Sequence, residues 1–109
     1  MIMRNKKNFK KIIDTLKEKI KKITPSAEII LFGSRARGDY DSESDIDLLI
    51  LIDEKEKIFE EKIIDICYEF ELKYDVIIMP LIHSKKEWNS FPYNVSEIKY
   101  FIEKEGIKI

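Results

Sequence analysis

The chain has 109 residues, of which 44% are hydrophobic and 38% charged, with a formal net charge of −1. That length holds one core, so residues 1–109 are read as a single domain, and the apolar share is too high for a disordered chain. The near-zero charge argues against nucleic acid as a direct partner, and a lone Cys67 with no long apolar run excludes a disulfide framework, a Cys-based metal cluster and a membrane-spanning helix.

The Met1-Ile2-Met3-Arg4 start lacks the apolar run of a secretory leader, so the expectation is a cytoplasmic protein that meets no membrane. Phe9, Ile12, Ile13, Leu16, Ile20 and Ile23 recur at three- and four-residue spacing and predict an amphipathic helix. Lys10, Lys11, Lys17, Lys19, Lys21 and Lys22 surround that stripe, but Asp14 and Glu18 interrupt them, so the run reads as a solvated face rather than an RNA contact. Thr24-Pro25-Ser26 stops the helix, because proline disfavours the α conformation in the residue before it. A short strand is expected over Glu28–Phe32, ending at Gly33. Residues 33–44 are polar and turn-rich, with room for a short helix starting at Ser34 or Arg35. Residues 45–52 follow, and their apolar half predicts a strand buried on both faces.

Residues 54–73 predict a second amphipathic helix, with Phe59, Ile63, Ile66, Cys67 and Phe70 on one face. A third strand is expected over residues 74–81, and Pro80 points to a sheet edge or to the end of that strand. Ser84 is a candidate N-cap for a short Lys-Lys-Glu-Trp turn. Val95, Ile98, Phe101 and Ile102 form a last apolar helical face, closed by Gly106 at the position after the helix. The expected fold class is α/β (α+β): a small mixed β-sheet of three or more strands flanked by helices.

The chemistry concentrates between Gly33 and Ile50. Side chains two apart on a strand share a face, so Asp45 and Asp47 converge while Ile46 turns inward. Two adjacent carboxylates repel each other, and a divalent cation relieves that; hard oxygen ligands suit Mg²⁺ or Mn²⁺. Asp75, read as opening the third strand, is the natural third ligand if that strand lies beside the second. Three carboxylates holding two metal ions about 4 Å apart would clamp the attacking and leaving oxygens of a displacement at phosphorus. Gly33 lets the backbone approach a ligand, and Ser34 adds a hydroxyl at the start of a helix, where free N–H groups receive phosphate. Arg35 and Arg37 are candidates to meet the leaving pyrophosphate, although local pairing with Asp39 or Asp41 is the favoured role for them.

Gly33-Ser34, ten intervening residues, then Asp45-x-Asp47 followed by hydrophobics resembles the signature of the DNA polymerase β-like nucleotidyltransferase superfamily. Gly-Ser-Arg-Ala-Arg-Gly and Ser-Asp-Ile-Asp-Leu are most similar to its minimal nucleotidyltransferases, the small MntA-like proteins. The match is strong over about a fifth of the chain. The resemblance implies a polymerase β-like fold and transfer of NMP, with AMP from ATP expected, to an acceptor hydroxyl. It implies Asp45 and Asp47 as ligands of two Mg²⁺ ions (or Mn²⁺), Asp75 as base or metal ligand, and Gly33 and Ser34 as the triphosphate holders. It also implies a HEPN-type toxin as partner, with a Tyr of that toxin as acceptor and this chain as antitoxin. No acceptor-binding domain is visible in the sequence, so the acceptor is expected on another protein.

Other readings compete. Gly33 to Gly38 has P-loop spacing, but Asp39 stands where the phosphate-binding Lys belongs, which rejects that class. His83 is read as a loop histidine and Cys67 as packed. Phe91, Tyr93, Tyr100 and Phe101 could face the core or a partner. A non-enzymatic antitoxin that neutralises its partner by binding, and a transferase acting on a small molecule or an RNA end, remain as alternatives.

Overall fold

A computed structural model describes residues 6–41 and 43–109, with side chains from Phe9 onward. The reading of the Met1–Arg4 start, and Ser42 within the polar turn, lie outside the described residues. In chain order the elements are α1 (Lys6–Ile23), β1 (Glu28–Phe32), α2 (Ser34–Arg37), β2 (Ile46–Ile52), α3 (Lys57–Tyr74), β3 (Ile78–Ser84), α4 (Lys85–Trp88), a 3-10 turn (Tyr93–Val95), α5 (Glu97–Glu105) and β4 (Ile107–Lys108). The strands form one mixed sheet in the order β3-β2-β1-β4. β1 runs antiparallel to β2 and to β4, while β2 and β3 are parallel. The α3 helix supplies the crossover that a parallel pair requires.

Helices α1 and α3 cover one face of this sheet. Ile12, Ile13, Leu16 and Ile20 of α1 and Ile63, Cys67 and Phe70 of α3 pack on Ile29, Leu31, Ile46, Leu48, Ile50 and Ile52. The opposite face carries a smaller cluster, in which Leu49 and Leu51 meet Trp88 and Ile102, with Ile30, Phe32 and Leu81 at its margin. β2 is thus enclosed on both sides, as its unbroken apolar run predicts, and Leu48, Leu49 and Ile50 are fully buried. Among the described residues, no helix is long and apolar enough to cross a membrane.

The third strand begins later than the sequence suggests. Its expected first residues, 74–77, are instead the end of α3 and a connection. Tyr74 packs against the larger core, its ring 5.5 Å from that of Phe70 one helical turn earlier, and so extends the helix. Asp75 then caps α3 in the left-handed region (φ 54, ψ 49), its N–H donating to the Glu71 carbonyl. Asp tolerates that conformation better than most side chains. The Pro80 reading holds: β3 is the sheet edge. His83 is not a loop residue but lies on β3, only 7% exposed, with Nδ1 2.8 Å from Glu87 Oε1 and its ring against Trp88 and Tyr93. Ser84 caps α4 as expected, through a reciprocal capping box with Glu87.

The last apolar face is divided. Ile102 is buried, whereas Val95 sits in the 3-10 turn and, with Ile98 and Phe101, is exposed. Gly106 ends α5 in extended rather than left-handed backbone, and the chain then adds the short strand β4. Lys99 is the polar residue that the sequence did not flag. It is buried, donating from Nζ to the Trp88 carbonyl at 3.1 Å and to Asn89 Oδ1 at 2.7 Å.

Candidate active site

The site grows from the turn that ends β1. Gly33 adopts φ 75, ψ −159, a combination open almost only to glycine, and its carbonyl accepts from the Ala36 and Arg37 amides, both at 3.1 Å. This starts α2, so the Ser34 and Arg35 amides lie in the first turn, where helical N–H groups have no intrahelical acceptor. Gly38 closes the helix in the left-handed region, its N–H donating to the Ser34 carbonyl at 2.9 Å. The chain then folds on Asp41, which accepts from the Glu43 amide at 2.8 Å through Oδ1, while its own amide donates to Ser44 Oγ at 3.0 Å. That turn delivers Asp45 to the mouth of β2.

Asp47 pairs in register with Phe32, which places it beside Gly33. A Cβ built on Gly33 would collide with Asp47 Oδ2. The Gly33-Ser34 turn and the carboxylate are therefore in direct contact, and glycine is required twice, by its φ and by its neighbour. Ile46 is fully buried, while Asp45 is exposed and Asp47 half-buried. Burial, and then the Asp45 charge, push the Asp47 carboxyl above the ordinary Asp range, with Arg37 opposing. A site that raises a carboxyl in this way, with a second carboxylate adjacent, offers the charge and hard donors that a divalent cation needs. Mg²⁺ is commonly held by one or two carboxylates plus substrate phosphates, and the pair fits that pattern.

The third expected ligand does not join them. Asp75 is the exposed cap of α3, three residues before β3 begins. Among the described residues, no three His, Cys, Asp or Glu side chains gather as a metal site. On β3 the residue registered with Asp47 is Met79, about half exposed, and the Ile77 carbonyl accepts from the Ile46 amide at 2.8 Å. Residues 74–77 are compatible with a strand start by their apolar pattern, but Tyr74 ends α3 and β3 begins only at Ile78.

The two arginines separate. Arg35 donates from Nε to the Ser44 carbonyl at 3.1 Å and lies over the rings of Phe9 (4.7 Å) and Tyr40 (5.1 Å), holding the turn against α1. Arg37 pairs with Asp39 (3.2 Å) and Glu105 (3.6 Å), and of the two it is the one whose charge bears on Asp47. It borders an open groove of about 590 Å³ that also touches Phe32, Gly33, Glu97, Ile98, Phe101, Ile102 and Glu105. The sequence gives no sign of this groove, apart from an apolar stripe on the last helix that reads equally well as core.

The profile of the nucleotidyltransferase domain family matches residues 10–109. Two proteins of Methanocaldococcus jannaschii assigned as protein adenylyltransferases are similar to the chain. MJ0141 is 49% identical over 87 residues, 78% of this chain and 82% of the relative. MJ0604 is 41% identical over 100 residues, 87% of this chain and 94% of the relative. Among solved structures, a toxin–antitoxin complex with AMP-PNP superposes with a TM-score of 0.59 at 18% identity, covering 90% of this chain and 69% of the other. A Sulfolobus solfataricus protein assigned as a nucleotidyltransferase superposes with a TM-score of 0.54 at 22% identity, covering 90% and 76%. At those identities the structures speak for the fold alone, which is the mixed sheet with flanking helices found here. The profile over residues 10–109 and the two M. jannaschii relatives show that this chain belongs to the nucleotidyltransferase domain family.

Proposed function

We propose that the chain transfers AMP from ATP to a hydroxyl on a partner protein, a Tyr of a HEPN-type toxin, and so acts as its antitoxin. The observation that carries this reading is the contact of Gly33 with the Asp47 carboxylate, which puts the phosphate-type turn against the acidic pair. The names of the M. jannaschii relatives and the nucleotide-bound toxin–antitoxin neighbour support it. Gly33 and Ser34 receive the triphosphate, and Asp45 and Asp47 would hold Mg²⁺ or Mn²⁺. When bound, the ion supplies positive charge against the phosphate oxygens. The acceptor oxygen attacks the α-phosphorus, the bond to the bridging oxygen breaks, pyrophosphate leaves with the electron pair and the acceptor proton goes to solvent. Arg37 adds charge beside the pair; Arg35 serves to hold the turn.

The test is label transfer from ATP tagged on the α-phosphate, with a γ-tagged control, Mg²⁺ and the protein encoded by the neighbouring gene. Transfer of the α label alone, lost in Asp45→Asn/Asp47→Asn, is the expected result. Among the described residues no third acid stands beside the pair, and this favours one other reading, an antitoxin that neutralises by binding. In that case no label moves, and the double variant still neutralises the partner.

A further inference from the structure

The groove that opens beside Gly33 has an apolar interior and an acidic rim. Phe32 and Ile102 form its floor, and Ile98 and Phe101 stand along it, 45% and 50% exposed. Large apolar side chains left wet beside a polar reaction centre are a surface that a ligand would cover. The rim carries Glu97 and Glu105, and Arg37 beside them is already engaged by Asp39 and Glu105. Two carboxylates against one paired cation repel a polyanion, so this is no place for a triphosphate. A flat uncharged ring is different. Its faces suit Phe101 and Ile98, and an amino group on its edge donates to a carboxylate.

We propose that the groove over Phe32 is the nucleobase site, with Phe101 and Ile98 covering the ring and Glu97 accepting a hydrogen bond from an exocyclic amino group. An amino-bearing base such as adenine is then taken over uracil. This rests on the reading of Gly33, Ser34, Asp45 and Asp47 as the triphosphate end, since the groove adjoins it at Gly33. Phosphates lie over the turn and the acidic pair; the base lies under α5.

Calorimetric titrations with ATP, UTP and inorganic tripolyphosphate, all with Mg²⁺, separate the two ends. ATP should bind more tightly than UTP or tripolyphosphate. Phe101→Ala should weaken ATP about tenfold, the usual scale of one lost stacking contact, and leave tripolyphosphate unchanged. Glu97→Gln should narrow the gap between ATP and UTP, and Ile98→Ser repeats the Phe101 test at a second exposed position, with thermal melts confirming that each variant folds. If the three ligands bind the wild type equally and no variant alters them, the groove is not the base site. A raised KM for the acceptor protein in Phe101→Ala, with ATP affinity intact, would assign it to the acceptor and overturn the proposal. If neither ATP nor tripolyphosphate binds, the triphosphate reading itself fails and this inference falls with it.

Discussion

Replacing Gly33 with alanine tests the central contact of the site. Two costs add: the backbone at φ 75, ψ −159 is one that L side chains rarely adopt, and the new methyl meets Asp47 Oδ2. The first is worth about 1–3 kcal/mol and the second, paid by turning Asp47 off its rotamer, about 0.5–1.5 kcal/mol, for a total of roughly 2–4 kcal/mol. In a domain of this size that lowers Tm by roughly 8–16 °C. Thermal denaturation followed by circular dichroism gives the number, and a double-mutant cycle divides it. In an Asp47→Ala background the carboxylate is gone, so the penalty of Gly33→Ala should shrink by about 1 kcal/mol while the backbone part persists. If Gly33→Ala melts within about 0.5 kcal/mol of wild type, or the two changes are strictly additive, the described contact is wrong.

Asp47→Asn should stabilise the metal-free protein at neutral pH while abolishing the proposed AMP transfer. Burial and Asp45 raise the folded-state pKa of Asp47, so its contribution is fully present below the ordinary Asp range and is lost as pH rises through the raised value. The gap in Tm between variant and wild type should therefore close as pH falls below the ordinary Asp range; a gap that widens on acidification would refute this. Arg35→Ala removes the Ser44 bond and two ring contacts and should cost about 1–2 kcal/mol in denaturant unfolding, where an unchanged midpoint would contradict the bracing role. Burial pushes the Cys67 thiol up to about 12, so a disulfide reagent at pH 8 should leave the native protein unlabelled and react once it unfolds. Rapid labelling of the folded protein would place Cys67 outside the core.

Much of this architecture is local and therefore legible. The three- and four-residue spacing of Phe9 to Ile23 can be satisfied only by a helix with one dry face, and that face is what α1 buries. The short uninterrupted apolar run after Asp47 suits a strand covered on both sides, and that is what β2 is. Gly33-Ser34 and Asp45-x-Asp47 stand out in the sequence because residue type and spacing alone put donors and carboxylates on adjoining segments. Asp75 shows where such reasoning stops. A helix end and a strand start use the same residues until packing chooses, and here Tyr74, packed against Phe70, joins the helix one residue past its expected end, while the strand starts at Ile78 rather than at residue 74.

What the tertiary structure decided is register and return. The pairing of Phe32 with Asp47 is what brings Gly33 onto the carboxylate, and no local propensity sets that alignment. The pairing of Asp47 with Met79 puts no acid from β3 beside the pair, which has no third member among the described residues. The return of α5 over Phe32, fixed by Ile102 in the smaller core and by β4 closing on β1, creates the groove and leaves Ile98 and Phe101 at its edge. Sequence periodicity tells which side chains share one face of their own element. Which distant element covers that face is settled only when the whole chain competes for the same buried area, and that is why the acidic pair could be read from the sequence while the surface around it could not.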